Sequence, residues 1–246
     1  LLVLLPFEPP YFEREGLPST FVGHPVVEEG ARDGDGARYR TAHGIGEDRR
    51  VLCILPGSRR GEIDTLLPIF GEVLERLAPQ FPDLHLAVPT VPHVEAAVRA
   101  AAAGWPLPAT VTLDAAEKYD AFAASRAALA ASGTVSLELT LAGVPMVVAY
   151  RLNALTALWL RPQLRVSYAS LVNILLDRPT VPEFLQDRCR AEEIAPALTE
   201  LLEGGPERDA QLAGLAEGAA AFGPGGDAPS MRAADTILNL IEERRR

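Results

Sequence analysis

A short polar turn, Ser132-Gly133-Thr134, holds the residues of this sequence best suited to binding a phosphate. It follows an apolar strand pattern and precedes a helical one. Backbone N–H groups at the start of a helix point outward, and the helix dipole adds partial positive charge there, so the turn suits an anion. Glu138 lies about one helical turn further on, on the same face, where its carboxylate can accept hydrogen bonds from a ribose. An ordinary helix N-cap is the alternative interpretation.

The turn belongs to a regular alternation of strand and helix patterns that begins near residue 50. The pattern predicts strands over residues 50–55, 84–88, 110–113, 128–131 and 145–150. It predicts helices between them, over residues 62–77, 93–103, 118–125 and after residue 134. Such an alternation forms a parallel sheet covered by helices on both faces. We therefore predict the α/β class, with a Rossmann-like parallel sheet flanked by helices.

A second polar turn, PGSR over residues 56–59, follows the first of these strands. The carboxyl ends of parallel strands lie at one edge of the sheet, and ligands of open α/β sheets bind there. Both polar turns are expected at that edge. Two turns in one place favour a binding site over an isolated helix cap.

Composition excludes several classes of protein. The chain has 246 residues and a formal net charge of −10, and no basic tract with interleaved aromatic residues is present, so nucleic acid is not an expected partner. Cys53 and Cys189 lack CxxC spacing, which argues against disulfides and zinc and favours a reducing cytoplasm. The four histidines show no metal-binding spacing, and we expect no metal. The apolar runs are shorter than the roughly 18 residues of a membrane span, and we see no signal peptide.

Residues 28–49 are rich in Gly, Arg, Asp and Glu and contain few apolar side chains, which predicts a linker or mobile surface loop. We place a domain boundary there. The chain opens on an apolar strand pattern without an initiator Met, so we expect that an N-terminal portion is missing. C-terminal helices are predicted over residues 191–202 and 230–244, separated by a Gly/Pro-rich loop at residues 223–226.

A locally basic segment follows the strand that ends near residue 150. It contains Arg161 and Arg165 and no acidic residue, together with Leu158 and Trp159. A basic amphipathic helix with a Trp, on an acidic protein, predicts contact with an anionic lipid surface. The alternative is that Trp159 and its leucine neighbours pack on the sheet.

Four segments resemble the lipid-A-disaccharide synthase family in the same order and at similar spacing. They cover residues 5–25 (LPFEPPYFEREGLPSTFVGHP), 55–63 (LPGSRRGEI), 131–151 (ASGTVSLELTLAGVPMVVAYR) and 168–186 (YASLVNILLDRPTVPEFLQ). The resemblance implies a GT-B glycosyltransferase, with two Rossmann-like halves facing a cleft. It implies four regions: the end of the N-terminal domain (1–27), the linker (28–49), a C-terminal nucleotide-sugar-binding domain (50–190) and C-terminal helices (191–246).

The resemblance also implies an activity. The enzyme would join UDP-2,3-diacylglucosamine to the 6-hydroxyl of 2,3-diacylglucosamine 1-phosphate with inversion, forming the β-1,6 disaccharide of lipid A and releasing UDP. It would act in a Gram-negative cytoplasm, in peripheral contact with the anionic inner membrane. No cofactor is implied, and the C-terminal helices suggest a homodimer.

Site residues are carried over from the family by position. The diphosphate of the donor would be held by Ser132, Gly133 and Thr134. Glu138 would bind the ribose, and Arg59 would give a bidentate cation to the leaving phosphates.

Further positions match the family less specifically. Gly57 and Ser58 belong to the same turn as Arg59, and Asn173 matches a position near the donor. Glu8, His24 and Ser170 are candidate cleft residues. The catalytic base is unassigned and is expected in the missing N-terminal half, so the chain alone is expected to bind UDP weakly and catalyse nothing.

The sequence also permits two other functions. A non-hydrolysing UDP-sugar 2-epimerase shares the architecture and a similar phosphate turn. A non-catalytic UDP-binding module is the second alternative.

Overall fold

The computed structural model describes residues 1–151, 168–222 and 227–243. Two short parallel strands form a small sheet near the N-terminus, β1 (Leu2–Val3) and β2 (Thr20–Phe21). The main sheet contains β3 (Val51–Leu55), β4 (His85–Pro89), β5 (Ala109–Thr112), β6 (Ala127–Ala131), β7 (Met146–Tyr150) and β8 (Glu183–Leu185). Its strands are all parallel, in the order β5-β4-β3-β6-β7-β8. The predicted α/β class and parallel sheet are confirmed.

Helices connect and cover these strands. They are α1 (Pro9–Glu13), α2 (Gly36–Ala42), α3 (Arg60–Leu77), α4 (Glu95–Ala102), α5 (Ala115–Ala124), α6 (Val135–Leu141), α7 (Leu171–Leu176), α8 (Ala191–Glu203), α9 (Pro206–Phe222) and α10 (Pro229–Glu243). Short 3-10 turns occur at Pro25–Glu28, Pro92–Val94 and Gln186–Arg188. Among the described residues, no helix combines the length and apolar character needed to cross a membrane.

The inner strands β3, β4, β6 and β7 are buried on both faces, which explains why they are largely apolar, whereas the edge strands β5 and β8 are partly exposed. In β3, Leu52 and Ile54 pack with α3, α4 and α8 on one face. Cys53 and Leu55 point to the other face and pack with α5, α6 and α9. Alternate side chains of the strands therefore point to opposite faces of the sheet, and a smaller third cluster joins Val51 and Ala87 to Tyr39 of α2.

The strand order reverses at the middle of the sheet. The chain starts at β3, builds outward to β5, and then returns to the opposite side of β3 with β6. The carboxyl ends of β3 and β6 are neighbours, since Leu55 pairs in register with Ala130. A crevice forms at such a reversal because the connections leave it in opposite directions. The prediction that both polar turns share one edge is confirmed.

The prediction of a mobile loop over residues 28–49 is wrong, because part of this stretch folds and packs against α5. Tyr39 of α2 is only 1% exposed. Arg38 donates from Nε and Nη2 to the two carboxylate oxygens of Asp120, at 2.6 Å each, and its hydrogen bonds lower the pKa of Asp120. The backbone N–H of Asp35 donates to the same carboxylate at 2.7 Å.

Glycine in this stretch marks close packing and not flexibility. A Cβ at Gly34 would lie 2.1 Å from the carbonyl oxygen of Tyr119, and one at Gly36 would lie 2.7 Å from that of Ala123. Only glycine lets the two backbones approach this closely. The domain boundaries placed at this stretch stay a prediction.

Helix α9 is absent from the sequence prediction, which places only two helices after residue 190. Its small residues pack closely: a Cβ at Gly214 would lie 2.4 Å from the Thr180 side chain, and one at Gly218 would lie 2.9 Å from that of Val172. The predicted loop at residues 223–226 lies outside the described residues. Helix α10 is held at its first turn, where Ser230 donates from N and Oγ to Glu28 at 2.9 and 3.0 Å.

Candidate functional site

A cavity of about 310 Å³ lies at the carboxyl ends of β3 and β6. Its walls come from the turn after β3, the end of β4, helix α5 and the turn that leads into α6. Seven of the predicted site residues line it: Gly57, Ser58, Arg59, Ser132, Gly133, Thr134 and Glu138. The structure therefore brings both polar turns and the carboxylate together.

Glu62 fixes the turn that follows β3. Its Oε2 accepts hydrogen bonds from the backbone N–H groups of Ser58 and Arg59, at 3.3 Å each. Gly57 has a φ of +108°, and a Cβ there would lie 2.6 Å from the same oxygen. Nη1 of Arg59 donates to Oε1 of Glu62 at 2.9 Å, while its side chain stays 81% exposed. The turn is thus rigid, and most of the guanidinium is open to an anion.

The turn before α6 is open toward the cavity. Gly133 has a φ of +157°, and a Cβ there would meet no atom within 4 Å. The side chain of Thr134, the N-cap residue, makes no capping hydrogen bond, and Ser132 Oγ donates to the carbonyl of Ala169 at 3.2 Å. Within the described ranges, the backbone N–H groups of Gly133 and Thr134 have no acceptor. The turn does not act as an ordinary side-chain N-cap.

A buried ion pair forms the wall beside this turn. Glu138 is only 7% exposed, and Nζ of Lys118 lies 2.9 Å from its Oε1. Burial raises the pKa of Glu138, and the hydrogen bond from Lys118 opposes that rise. Burial also opposes the charge on Lys118, but the hydrogen bond and negative charge of Glu138 outweigh it and raise the pKa of Lys118. The contact therefore favours the charged form of each partner against the effect of burial.

Lys118 was missed by the sequence prediction, which treated it only as part of a short helix. Its distance from Glu138 depends on how α5 packs beside α6, and no spacing in the sequence encodes this. One feature of the sequence could have pointed to Lys118. It is the only lysine in the sequence, and the rest of the 23 Lys and Arg residues are arginines.

Asn173 does not line this cavity, and its side-chain amide is occupied by a structural network. Nδ2 donates to the carbonyl of Val181 and to Oε1 of Glu183, at 2.8 Å each, and Oδ1 accepts from the N–H of Val181 at 2.8 Å. Ser170 is the N-cap of α7 and accepts from the N–H of Asn173 at 3.4 Å. The pair joins α7 to the segment that leads into β8.

The two titratable candidates near the N-terminus also hold local structure. Oε2 of Glu8 accepts from the N–H groups of Leu4 and Leu5 at 2.9 and 2.8 Å. His24 is an N-cap whose Nδ1 accepts from the N–H of Val26 at 3.1 Å. Burial lowers the pKa of His24, although the charges of Glu29 and Glu8 act in the opposite direction. Its imidazole is therefore neutral at neutral pH.

The four predicted membrane-contact residues, Leu158, Trp159, Arg161 and Arg165, lie outside the described residues. Among the residues that are described, no group of three or more His, Cys, Asp or Glu side chains is arranged to hold a metal ion.

A parallel sheet with this order, flanked by helices and with a polar cavity at its reversal point, defines a Rossmann-like class of α/β domain. Solved structures share the fold. UDP-GlcNAc 2-epimerase from Neisseria meningitidis, bound to UDP-GlcNAc, has a TM-score of 0.61 and 16% identity over 92% of this chain and 58% of its own. WaaG, a glycosyltransferase involved in lipopolysaccharide biosynthesis, has a TM-score of 0.55 and 17% identity over 97% of this chain and 62% of its own. The fold is that of GT-B glycosyltransferases and epimerases.

Sequence relatives identify the particular family. The family model of lipid-A-disaccharide synthetase matches residues 1–217. The lipid-A-disaccharide synthases of Rhodospirillum centenum and Paramagnetospirillum magneticum are 56% and 47% identical to this chain, each over 99% of it. The chain belongs to the lipid-A-disaccharide synthetase family, as the resemblance indicated. It spans 61% and 63% of the lengths of these two relatives.

Replacing Asn173 by Ala is expected to lower the free energy of unfolding by about 1–3 kcal/mol, because buried N–H, C=O and carboxylate groups lose their partners. Urea denaturation measures this difference. The matched control is Asn239→Ala, at an exposed position of α10, which is expected to stay within about 0.5 kcal/mol of wild type. Equal stabilities of the two variants would contradict the structural role of Asn173.

Proposed function

We propose that this protein is an inverting glycosyltransferase that makes the lipid A disaccharide. It transfers 2,3-diacylglucosamine from UDP to 2,3-diacylglucosamine 1-phosphate. The observation that carries the proposal is the cavity between β3 and β6, where two phosphate-sized turns meet a carboxylate in a chain of this family. The chain spans about three fifths of its relatives' length, and the proposal concerns the reaction of the whole protein.

The cavity suits the UDP end of the donor. The backbone N–H groups of Gly133 and Thr134 donate to one side of the diphosphate, and the exposed guanidinium of Arg59 pairs with the other. Glu138 accepts hydrogen bonds from the ribose hydroxyls. These groups are positioned before the donor arrives, so they stabilise the negative charge that develops on departing UDP without reorganisation.

The chemical step needs one further group. The 6-hydroxyl oxygen of the acceptor attacks the anomeric carbon, the bond from that carbon to the β-phosphate oxygen breaks, and its electron pair leaves with UDP. A base takes the hydroxyl proton. Glu8 and His24 hold local backbone structure in the described chain. We therefore place the base in the part of the relatives' length that this chain does not span.

A UDP-sugar 2-epimerase is the main competing function, since an epimerase shares the fold. That likeness is at 16% identity, whereas the synthases are up to 56% identical. The family relationship therefore favours the transferase. Full-length protein incubated with UDP-diacylglucosamine and the acylated phosphosugar separates the two by product. Disaccharide with UDP supports our proposal, interconversion of UDP-sugars overturns it, and UDP binding without either product supports a non-catalytic module.

Arg59→Ala and Glu138→Ala in the full-length protein are each expected to lower kcat/KM by about tenfold or more, because each removes a charge-assisted hydrogen bond worth about 1.5–3 kcal/mol. Steady-state kinetics with varied donor measures the effect. The matched control is Arg60→Ala, which removes an exposed arginine paired with Asp64 on the surface of α3. If both site variants behave like the control, the donor site is placed wrongly.

We further propose peripheral contact with the anionic inner membrane from the cytoplasmic side. The support is the basic, apolar sequence around Leu158, Trp159, Arg161 and Arg165, together with acyl substrates that reside in a bilayer. The double variant Leu158→Ser, Trp159→Ser is expected to lose most binding to anionic vesicles in a sedimentation assay. Leu113→Ser, at an exposed apolar position elsewhere, serves as control. Undiminished binding by the folded double variant would instead favour packing of Trp159 on the protein.

We also propose that the protein forms a homodimer through α10. This helix exposes large apolar side chains, namely Met231, Ile237, Leu238, Leu240 and Ile241. The same face on a second copy forms a self-complementary contact about a two-fold axis. Leu238→Asp with Ile241→Asp is expected to convert a dimer to a monomer in light scattering, whereas Asn239→Asp, on the same helix, leaves the dimer intact. A monomeric wild type, or a dimer that survives the double change, argues against this interface.

A further inference from the structure

The only lysine of the chain lies in the wall of the proposed donor cavity. Lys118 extends from α5, its side chain is 25% exposed, and it lines the cavity beside Glu138. Its ammonium lies 4.5 Å from the centre of the Tyr119 ring, which favours a cation at this position. The rest of the 23 Lys and Arg residues are arginines, whose planar guanidinium is larger than an ammonium. A compact cation thus occupies a half-buried space against an aromatic ring.

Several charged or titratable groups face Glu138. Helix α5 contributes Lys118 and Tyr119, and Glu29 approaches from the end of the 3-10 turn Pro25–Glu28. The hydroxyl of Tyr119 donates to Oε2 of Glu29 at 3.3 Å. Across the cavity, Arg59 is already engaged with Glu62. Lys118 is the cation that directly contacts Glu138.

Without Lys118, the surroundings of Glu138 favour its protonated form. Burial raises the pKa of Glu138, and the negative charge of Glu29 raises it further, whereas Lys118 acts against both. A protonated carboxyl group has lost part of its capacity to accept hydrogen bonds from two adjacent hydroxyls. A free carboxylate side chain can also rotate, and the contact of 2.9 Å from Lys118 fixes the position of Oε1.

We propose that Lys118 is a positioning residue of the donor site, which keeps Glu138 ionised and oriented so that its carboxylate accepts the two ribose hydroxyls of the nucleotide. This inference rests on the proposed function, because it assumes that a nucleoside diphosphate occupies the cavity. Lys118 acts through Glu138 and belongs to substrate binding, and the bond-breaking step does not involve it.

The test is UDP binding by calorimetry over a range of pH, with wild type, Lys118→Met and Lys118→Arg. Loss of Lys118 raises the pKa of Glu138, so the methionine variant is expected to bind about tenfold more weakly than wild type at about pH 6.5 and to come within about threefold of it at about pH 9. The arginine variant keeps a charge and is expected to recover most of the affinity near neutral pH. Protonation of UDP itself affects all variants equally.

A second variant tests the opposing effect of Glu29 on the pKa of Glu138. Glu29→Gln removes the opposing negative charge and is expected to lower the pKa of Glu138. Combined with Lys118→Met, it shifts the binding curve back toward lower pH. Glu29→Gln alone keeps the test valid if Lys118→Met is poorly folded, because Glu29 is exposed and its replacement preserves the side-chain shape.

The single lysine allows a direct observation as well. In the 246-residue chain, reductive methylation with ¹³C labels one side chain, that of Lys118, together with the N-terminal amine. UDP is expected to shift the NMR signal of the lysine and to leave the amine signal unchanged. Wild type that binds no UDP at any pH overturns the proposed function. Wild type that binds UDP, with an unshifted lysine signal or with the same pH profile in Lys118→Met, overturns only the role of Lys118.

Discussion

The pairing of β3 with β6 decides where a site can form in this chain, because it sets the carboxyl ends of two strands side by side while their connections leave in different directions. Everything in the cavity depends on this register. The turn after β3 supplies a cation, the turn after β6 supplies open N–H groups, and α5 and α6 supply the ion pair. A shift of one residue between these strands would point alternate side chains to the opposite core.

Two polar side chains of the cavity wall hold other groups of the site in place. Glu62 holds the backbone after β3, and Lys118 holds the carboxylate of Glu138. These contacts are local and polar, and they depend on the apolar cores that fix α3, α5 and α6 against the sheet. The cost of ordering the cavity is thereby met before any ligand binds.

The sequence predicted the sheet well because strands buried on both faces are continuous apolar runs, and it predicted the shared edge because parallel topology places every strand's carboxyl end there. The sequence prediction failed for features that depend on tertiary contacts. Helix α9 is rich in Ala and Gly, so its buried and exposed faces differ little in hydrophobicity. The amide network of Asn173 depends on Val181 and Glu183, which no local pattern links to it. Residues 28–49 were predicted to form a mobile loop because they are rich in glycine. Glycine occurs both in flexible loops and in closely packed backbones, and the sequence alone does not separate the two.

The close packing of Gly34 and Gly36 on α5 has an electrostatic consequence. Val26 and Ala31 lie in the core shared by the sheet, α5, α6 and α9, so the chain is anchored on both sides of Glu29. The negative charge of Glu29 raises the pKa of Glu138. The backbone packing of two glycines thereby helps to fix how far one carboxylate lies from another, and so sets an electrical property of the cavity wall.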